Sequence, residues 1–187
     1  VVSQFREEYE ARDSEPTEAL AQIAPHIAQL HAELAEYTIV GTILGVPGLV
    51  DVTTGTVLIA PNLGWKQVRP AEILGIELDV MNDANAQGYA AAFHAPGRPR
   101  TNGTFLYVSG DVGIGSAIVL GGELEHGRHG WAGEIGHVSI EPDGPLCGCG
   151  GRGCLERYAG KRAILEAAGL PAAVPPGVLL HLLQDGD

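Results

Sequence analysis

The stretch Gly133–Gly160 reads GEIGHVSIEPDGPLCGCGGRGCLERYAG and contains all three cysteines of the chain within eight positions. An odd number of cysteines cannot form a closed set of disulfides, and a chain of 187 residues can bury a core without them. Cysteines clustered in this way are typical of metal ligands, and the glycines between them permit a tight loop around an ion. The sequence therefore predicts a metal-binding loop over residues 133–160.

Cys147, Cys149 and Cys154 would supply three thiolates, and a tetrahedral zinc site needs one more donor. His137, ten residues before Cys147, is the best candidate for the fourth ligand. His126 and His129 are alternatives, because the sequence does not give a ligand's position in space. Four protein ligands leave no position for a water molecule, so we expect a structural zinc. The competing interpretation is a turn with buried cysteines, although thiols among glycines fill a core poorly.

The composition argues against several function classes. The formal net charge is −12 and no Lys/Arg cluster is present, which argues against nucleic-acid binding by this chain alone. No apolar run reaches the roughly 18 residues of a membrane span, and the first residues lack the apolar region of a signal peptide. We therefore expect a cytoplasmic protein without a membrane partner, in which the thiols stay reduced.

Helical and strand patterns alternate along the chain, which predicts an α/β fold. The first twelve residues show partial alternation and are expected to form an edge strand, whereas KRAILEAAG, from Lys161 to Gly169, is expected to be helical. Residues 103–124 predict two strands around a glycine-rich hairpin. Pro16 is expected to open a helix with an apolar stripe formed by Leu20, Ile23, Ile27, Leu30 and Leu34.

Polar residues follow the apolar strand Leu78–Met81, in the sequence VMNDANA. Ligands of α/β sheets bind at the carboxyl ends of strands, so Asn82 and Asp83 could hydrogen-bond to vicinal hydroxyls. Asp83 could also act as a general base toward one of them. The alternative is that one of these residues is an ordinary helix N-cap.

Two glycine-containing stretches have two interpretations each. In GVPGLVD, Gly48 either belongs to a plain turn or lets the backbone approach a ligand closely. In VSGDVGIGSAIVLGG, Gly110, Gly113 and Gly115 either present backbone amides to phosphates or form a hairpin between two strands.

Together these motifs resemble the ROK family of bacterial repressors and sugar kinases. CGCGGRGCLE fits the pattern C-x-C-G-x-x-G-C-x-E at every fixed position, and GEIGH precedes it. NDAN, GVPG and the GIG hairpin lie upstream in the expected order, so the resemblance runs from about Gly41 to Gly160. It implies an actin/hexokinase-like (ribonuclease H-like) α/β fold, of which the chain would be a partial copy. It also implies a sugar site in the cleft.

The resemblance assigns roles to individual residues. It makes His137, Cys147, Cys149 and Cys154 the zinc ligands, and His137 then has two tasks, with one ring nitrogen on zinc and the other toward a sugar hydroxyl. In the kinase members the residue at Asp83 is the catalytic base. The sugar contacts that the resemblance implies are Gly48, Asn82, Asp83, Glu134, His137 and Glu156.

The chain departs from the family pattern in ways that affect its function. We find neither the Asp-Ile-Gly-Gly-Thr phosphate hairpin of the kinases nor the helix-turn-helix of the repressors. In the second phosphate loop, Asp111 and Val112 replace small and hydroxyl residues, and a carboxylate repels a polyphosphate unless a cation lies between them.

We therefore expect residues 1–187 to be a fragment that forms one sugar-sensing domain of a transcriptional repressor, with the zinc-binding loop at 133–160 inside it. DNA would be a partner only through a helix-turn-helix domain outside this chain, and we expect a homodimer or larger homo-oligomer. The alternative is a sugar kinase that uses ATP and Mg²⁺, with Asp83 as its base. A binding module with neither activity is a third possibility. The hydroxyl contacts do not identify the sugar.

Overall fold

The computed structural model describes residues 2–6, 13–95, 98–100, 103–110, 113–171, 174 and 178. The chain divides into two compact units. The first consists of Val1–Ala86 and His126–Trp131, and the second of Gln87–Glu125 and Ala132–Asp187. The predicted single domain over residues 1–187 stays a prediction. Among the described residues, no helix is both long and apolar enough to cross a membrane.

The helix expected to begin at Pro16 is present as α1, Pro16–Glu33. Proline suits a first turn because its φ is helical and its missing N–H would have had no intrahelical partner. Leu20 is fully buried, and the other residues of the predicted apolar stripe are half-buried, so the predicted face is the packed face. The predicted edge strand at the start is wrong for residues 2–6, which form no strand, and its residues 7–12 lie outside the described residues.

The first unit has an antiparallel sheet, a separate pair of parallel strands and the short helix α2, Pro70–Leu74. The antiparallel sheet has the order β2-β3-β4, and β1 pairs with β5 in parallel. In this pair Val46 lies opposite Asn82, so both strands end at the same edge. Gly48, two residues beyond β1, and Asp83, directly after β5, therefore lie near each other at this edge. The strands are β1 Ile43–Val46, β2 Leu49–Asp51, β3 Thr56–Ala60, β4 Trp65–Val68 and β5 Asp79–Asn82.

The core of the first unit lies between α1 and these strands. Trp65 is 4% exposed, and its indole N–H donates to the carbonyl of Ser14 at 3.0 Å, so its polar atom is satisfied inside the core. Burying a side chain such as Leu20 contributes about 1.5–3 kcal/mol. The buried apolar residues of this core are Ala19, Leu20, Val46, Val50, Val57, Ala60, Trp65, Val68 and Val80.

The second unit is organised around the antiparallel sheet β8-β9-β10. Its hairpin joins β8 and β9 with Gly110 opposite Ile114, which confirms the predicted hairpin. Helix α3, Asp83–Ala92, reaches this unit from Gln87 onward. A Cβ on Gly88 would lie 2.5 Å from that of Ala117, so glycine lets α3 approach the sheet. The strands are β6 Phe93–Ala95, β7 Arg98–Pro99, β8 Phe105–Gly110, β9 Ile114–Leu120 and β10 Glu123–Glu125.

Two short helices follow the cysteine-rich loop in the second unit. They are α4, Glu156–Ala159, and α5, Lys161–Ala167. Gly169 has a φ of 69° just beyond α5, as predicted for a helix stop. The fold class is therefore α/β, as the sequence predicts.

Gly48 is expected to be essential for the stability of the first unit. A Cβ at this position would overlap the carbonyl oxygen of Ile59 and lie 2.8 Å from Cα of Ala60, both of which are backbone atoms of β3. Because overpacking costs about 1–3 kcal/mol, we expect Gly48→Ala to lower the melting temperature by about 4–10 °C. The measurement is scanning calorimetry with Gly41→Ala as the matched control, since a Cβ there meets no atom within 4 Å. Equal melting temperatures for the two variants would contradict this packing argument.

Candidate functional site

The cysteine-rich loop is a compact turn held by its own backbone. The N–H of Cys147 donates to the carbonyl of Gly151 at 2.8 Å, and the N–H of Gly150 donates back to the carbonyl of Cys147 at 3.0 Å. Gly150 and Gly153 have φ values of 92° and 62°, a region that side chains disfavour. This turn folds the chain back so that Cys149 and Cys154 approach each other.

The structure brings the four predicted ligands together. One ligand atom from each of His137, Cys147, Cys149 and Cys154 lies within 4.8 Å of all the others. Nδ1 of His137 lies 3.6 Å from Sγ of Cys147, and Sγ of Cys149 lies 3.6 Å from Sγ of Cys154. In a tetrahedral zinc site with Zn–S bonds of about 2.3 Å, neighbouring sulfurs lie about 3.8 Å apart. The cluster therefore has the donors and the spacing to hold a metal ion.

The alternative histidines are not members of this group. His126 and His129 belong to the first unit, whereas the four clustered residues belong to the second. Among the described residues, the group of side chains suited to hold a metal contains His137 and no other histidine. The sequence alone had favoured His137 without excluding the other two.

The three thiols differ in their ionisation. Burial raises the pKa of Cys147 to about 12 and also raises the pKa of Cys154. Burial acts in the same direction on Cys149, but hydrogen bonds from the N–H of Gly151 and from the other two thiols outweigh it and lower its pKa. Without a metal, Cys149 is thus the most acidic thiol of the cluster, and metal binding would release the protons that the thiols carry.

The GEIGH segment lies against the start of β9. The backbone at Gly133 packs on Ser116, whose hydroxyl donates to the carbonyl of Gly133, and Gly136 packs on the carbonyl of Ile114. A Cβ on either glycine would collide with that strand. This packing sets the position of the 3-10 turn Ile135–His137 that carries the histidine. From the sequence, the GIG hairpin was interpreted either as a phosphate loop or as a plain hairpin. No sequence pattern indicated that its strand β9 also supports the GEIGH segment.

Two carboxylates accompany the cluster of candidate metal ligands in the second unit. Oε2 of Glu134 lies 4.0 Å from Nε2 of His137, which is the ring nitrogen that does not face the sulfurs. The thiol of Cys147 donates to Oε1 of Glu156 at 3.5 Å. His137, Glu134 and Glu156 thus lie around one centre, as expected if the cluster positions polar groups for a ligand.

The first unit holds the other predicted contacts at the shared edge of β1 and β5. Oδ1 of Asn82 accepts from the N–H of Asn85 at 3.0 Å and caps α3, while its amide donates to the carbonyl of Gly48 at 2.9 Å. Oδ1 of Asp83 accepts from the N–H of Ala84 at 2.9 Å. The N-cap alternative therefore applies to Asn82, and its side chain also braces the GVPG turn. Asp83 is half-buried and has a second carboxylate oxygen for a ligand.

The amino-acid sequence is similar to a known protein family and to proteins of two functional classes. A family model described as "ROK family" matches residues 3–174. The chain is 36% identical over 132 residues to the xylose repressor of Caldicellulosiruptor bescii, covering 68% of this chain and 33% of the repressor. It is 36% identical over 155 residues to a glucokinase of Streptomyces coelicolor, covering 81% of this chain and 48% of the glucokinase. The chain thus spans about a third to a half of these relatives.

The structural comparison agrees with the sequence comparison. A crystal structure of a ROK family glucokinase from Streptomyces griseus, in complex with glucose and AMPPNP, superposes with a TM-score of 0.65 at 34% identity. The match covers 89% of this chain and 55% of the glucokinase. The chain has part of the actin/hexokinase-like α/β fold of the ROK sugar kinases, and its relatives include both repressors and kinases. Because the family model covers nearly all of its residues, the chain belongs to the ROK family.

Proposed function

We propose that the chain is the sugar-sensing domain of a ROK-type transcriptional regulator and binds a sugar inducer next to a structural zinc. The observation that carries this proposal is the arrangement of His137. Its Nδ1 faces Cys147 in the cysteine cluster, and its Nε2 faces the carboxylate of Glu134. One side chain thereby joins a metal-binding group to a group of hydrogen-bonding residues.

The zinc would be held by the four clustered residues. It would fix the positions of their side chains and would take no part in a reaction. A histidine with one nitrogen on a metal has a fixed tautomer and donates from its other nitrogen. Cys147 and Cys154 are buried and Cys149 is exposed, so two of the three thiols lie inside the protein and one faces the solvent. With four protein donors and no open position, the metal would keep His137 in place, and it would fix the backbone at Cys154, two residues before Glu156.

The sugar would be bound mainly by carboxylates and amides, which suit neutral hydroxyl groups. Carboxylates accept hydrogen bonds from vicinal hydroxyls, and hydrogen bonds to charged groups contribute about 1.5–3 kcal/mol each. In the first unit the proposed contacts are Gly48, Asn82 and Asp83. In the second unit they are Glu134, His137 and Glu156.

Regulation would follow from preferential binding. A sugar that binds one conformation of the regulator better than the other shifts the population toward that conformation. In a repressor this conformation would be the one that does not bind DNA. DNA contact would come from a helix-turn-helix domain outside these 187 residues.

The second candidate function is an ATP-dependent sugar kinase. It is favoured by Asp83, whose carboxylate lies at the carboxyl end of β5, where a general base of an α/β fold is expected. The identity to a glucokinase also extends over more of this chain than the identity to the xylose repressor. In this alternative Asp83 would deprotonate a sugar hydroxyl for in-line attack on ATP.

The regulator is preferred because of the hairpin between β8 and β9. The sequence places Asp111 and Val112 in it, and both lie outside the described residues. A carboxylate in that loop repels a polyphosphate, and valine offers no hydroxyl donor. Kinase catalysis depends on positioning and charge stabilisation of the phosphoryl group, so such a loop would support it poorly.

The test uses the full-length protein. We expect it to release no ADP above background with Mg²⁺-ATP and a panel of hexoses and pentoses, and to leave its operator DNA when the inducing sugar is added. A coupled ADP assay and an electrophoretic shift assay measure the two outcomes. Turnover near 1 s⁻¹, the lower end of ordinary kinases at about 1–100 s⁻¹, would overturn the regulator proposal in favour of the kinase.

A further inference from the structure

Gly113 lies directly against the carboxylate of Glu156 in the second unit. A Cβ built on Gly113 would overlap Oε2 of Glu156 and lie 3.1 Å from its Cδ. The other oxygen, Oε1, accepts from the thiol of Cys147 at 3.5 Å. The carboxylate thus lies between the cysteine cluster on one side and a glycine on the other. If the cluster holds zinc, Cys147 is a thiolate and no longer donates to Glu156, so the space beside Gly113 decides where the carboxylate can stand.

The backbone conformation does not explain the glycine at this position. Among the described glycines, those with positive φ values do not include Gly113, so its conformation is open to other residues. Gly113 directly precedes β9, and Gly110 ends β8 on the other side of the same loop. A Cβ on Gly110 meets no atom within 4 Å. The two glycines therefore share a loop but differ in the space that a side chain would have.

We propose that Gly113 is a positioning residue for Glu156. Because Gly113 has no side chain, the carboxylate can occupy the position from which it would hydrogen-bond to the sugar. The inference rests on the proposed function, in which Glu156 contacts the sugar. The hairpin between β8 and β9 would then take part in sugar recognition. This role differs from both earlier interpretations of its glycines, as a phosphate loop and as a plain hairpin.

The physical consequence of filling this space is specific. The atom that a new Cβ would meet is the far end of a flexible side chain and not backbone, so Glu156 can turn away at little cost in stability. The carboxylate would then lie outside hydrogen-bonding distance of its target. Since a hydrogen bond to a charged group contributes about 1.5–3 kcal/mol, binding should weaken at least about tenfold while the fold remains intact.

The experiment compares Gly113→Ala with Gly110→Ala in the full-length protein. D-xylose and D-glucose are the probes, and calorimetric titration measures their affinity. We expect Gly113→Ala to bind the responding sugar at least about tenfold more weakly than the wild type, and Gly110→Ala to bind it as the wild type does. Both variants should keep the wild-type melting temperature and metal content. A loss of metal, or of several degrees of melting temperature, in Gly113→Ala alone would overturn the proposal in favour of a structural role.

A second readout does not depend on sugar. In protein labelled with ¹³C at the glutamate carboxyl carbons, the Glu156 signal is assigned by its absence in Glu156→Gln. We expect this signal to shift in Gly113→Ala and to stay in place in Gly110→Ala. An unmoved signal in Gly113→Ala overturns the positioning role whatever the sugar data show. A shifted signal in a protein that binds neither probe supports the positioning role and counts against the proposed sugar function.

Discussion

Cys149→Ser is expected to abolish stoichiometric metal binding and to lower the melting temperature by more than about 5 °C. Its Sγ lies 3.6 Å from that of Cys154, and all four candidate ligands lie within 4.8 Å of one another. A serine hydroxyl is a much weaker zinc ligand than a thiolate, so the site would lose its metal and, with it, the stabilisation of the folded state. The measurements are elemental analysis and scanning calorimetry on protein purified without chelator.

The metal prediction is controlled by comparing two histidine variants. His137→Ala should lose the metal, whereas His129→Ala should keep it, because His129 lies in the other unit and outside the cluster. Wild-type protein with less than about a tenth of an equivalent of zinc would refute the zinc proposal. Retention of metal by His137→Ala would refute the assigned fourth ligand.

Asp83→Ala is expected to weaken sugar binding by about 10- to 100-fold in the full-length protein. The half-buried carboxylate stands at the carboxyl end of β5, with one oxygen engaged by the N–H of Ala84. Its loss removes hydrogen bonds from a charged acceptor, each contributing about 1.5–3 kcal/mol. Calorimetric titration with D-xylose and D-glucose measures the effect, and a thermal-shift assay checks that the variant remains folded.

Asp79→Ala is the control for this second prediction. Asp79 begins the same strand, is exposed, and lies opposite Ile43, at the end of the strand far from Asp83. We expect it to leave sugar affinity unchanged. If Asp83→Ala also leaves the affinity unchanged, the role of Asp83 is confined to its hydrogen bond at the start of α3.

Local patterns in the sequence predicted those features that depend on neighbouring residues. The helix from Pro16 and the hairpin over residues 103–124 follow from periodicity and glycine placement, and both are confirmed. The first strand was mispredicted over residues 2–6 because weak alternation alone does not supply a pairing partner. The sugar contacts and the regulatory function stay predictions.

The sequence by itself determined that a metal-binding loop was to be expected, because three cysteines within eight positions, with glycines that permit a tight turn between them, can converge on one ion without help from distant segments. Only the tertiary structure decided between His137 and the alternatives His126 and His129, since the choice depends on which segment packs against β9. It likewise showed that Asn82, one of the two N-cap candidates, also braces Gly48, 34 residues away in the chain. The close approach of Gly113 to Glu156 is likewise a contact that only the tertiary structure shows. Contacts between residues distant in sequence arise from the packing of whole elements, and no local pattern encodes them.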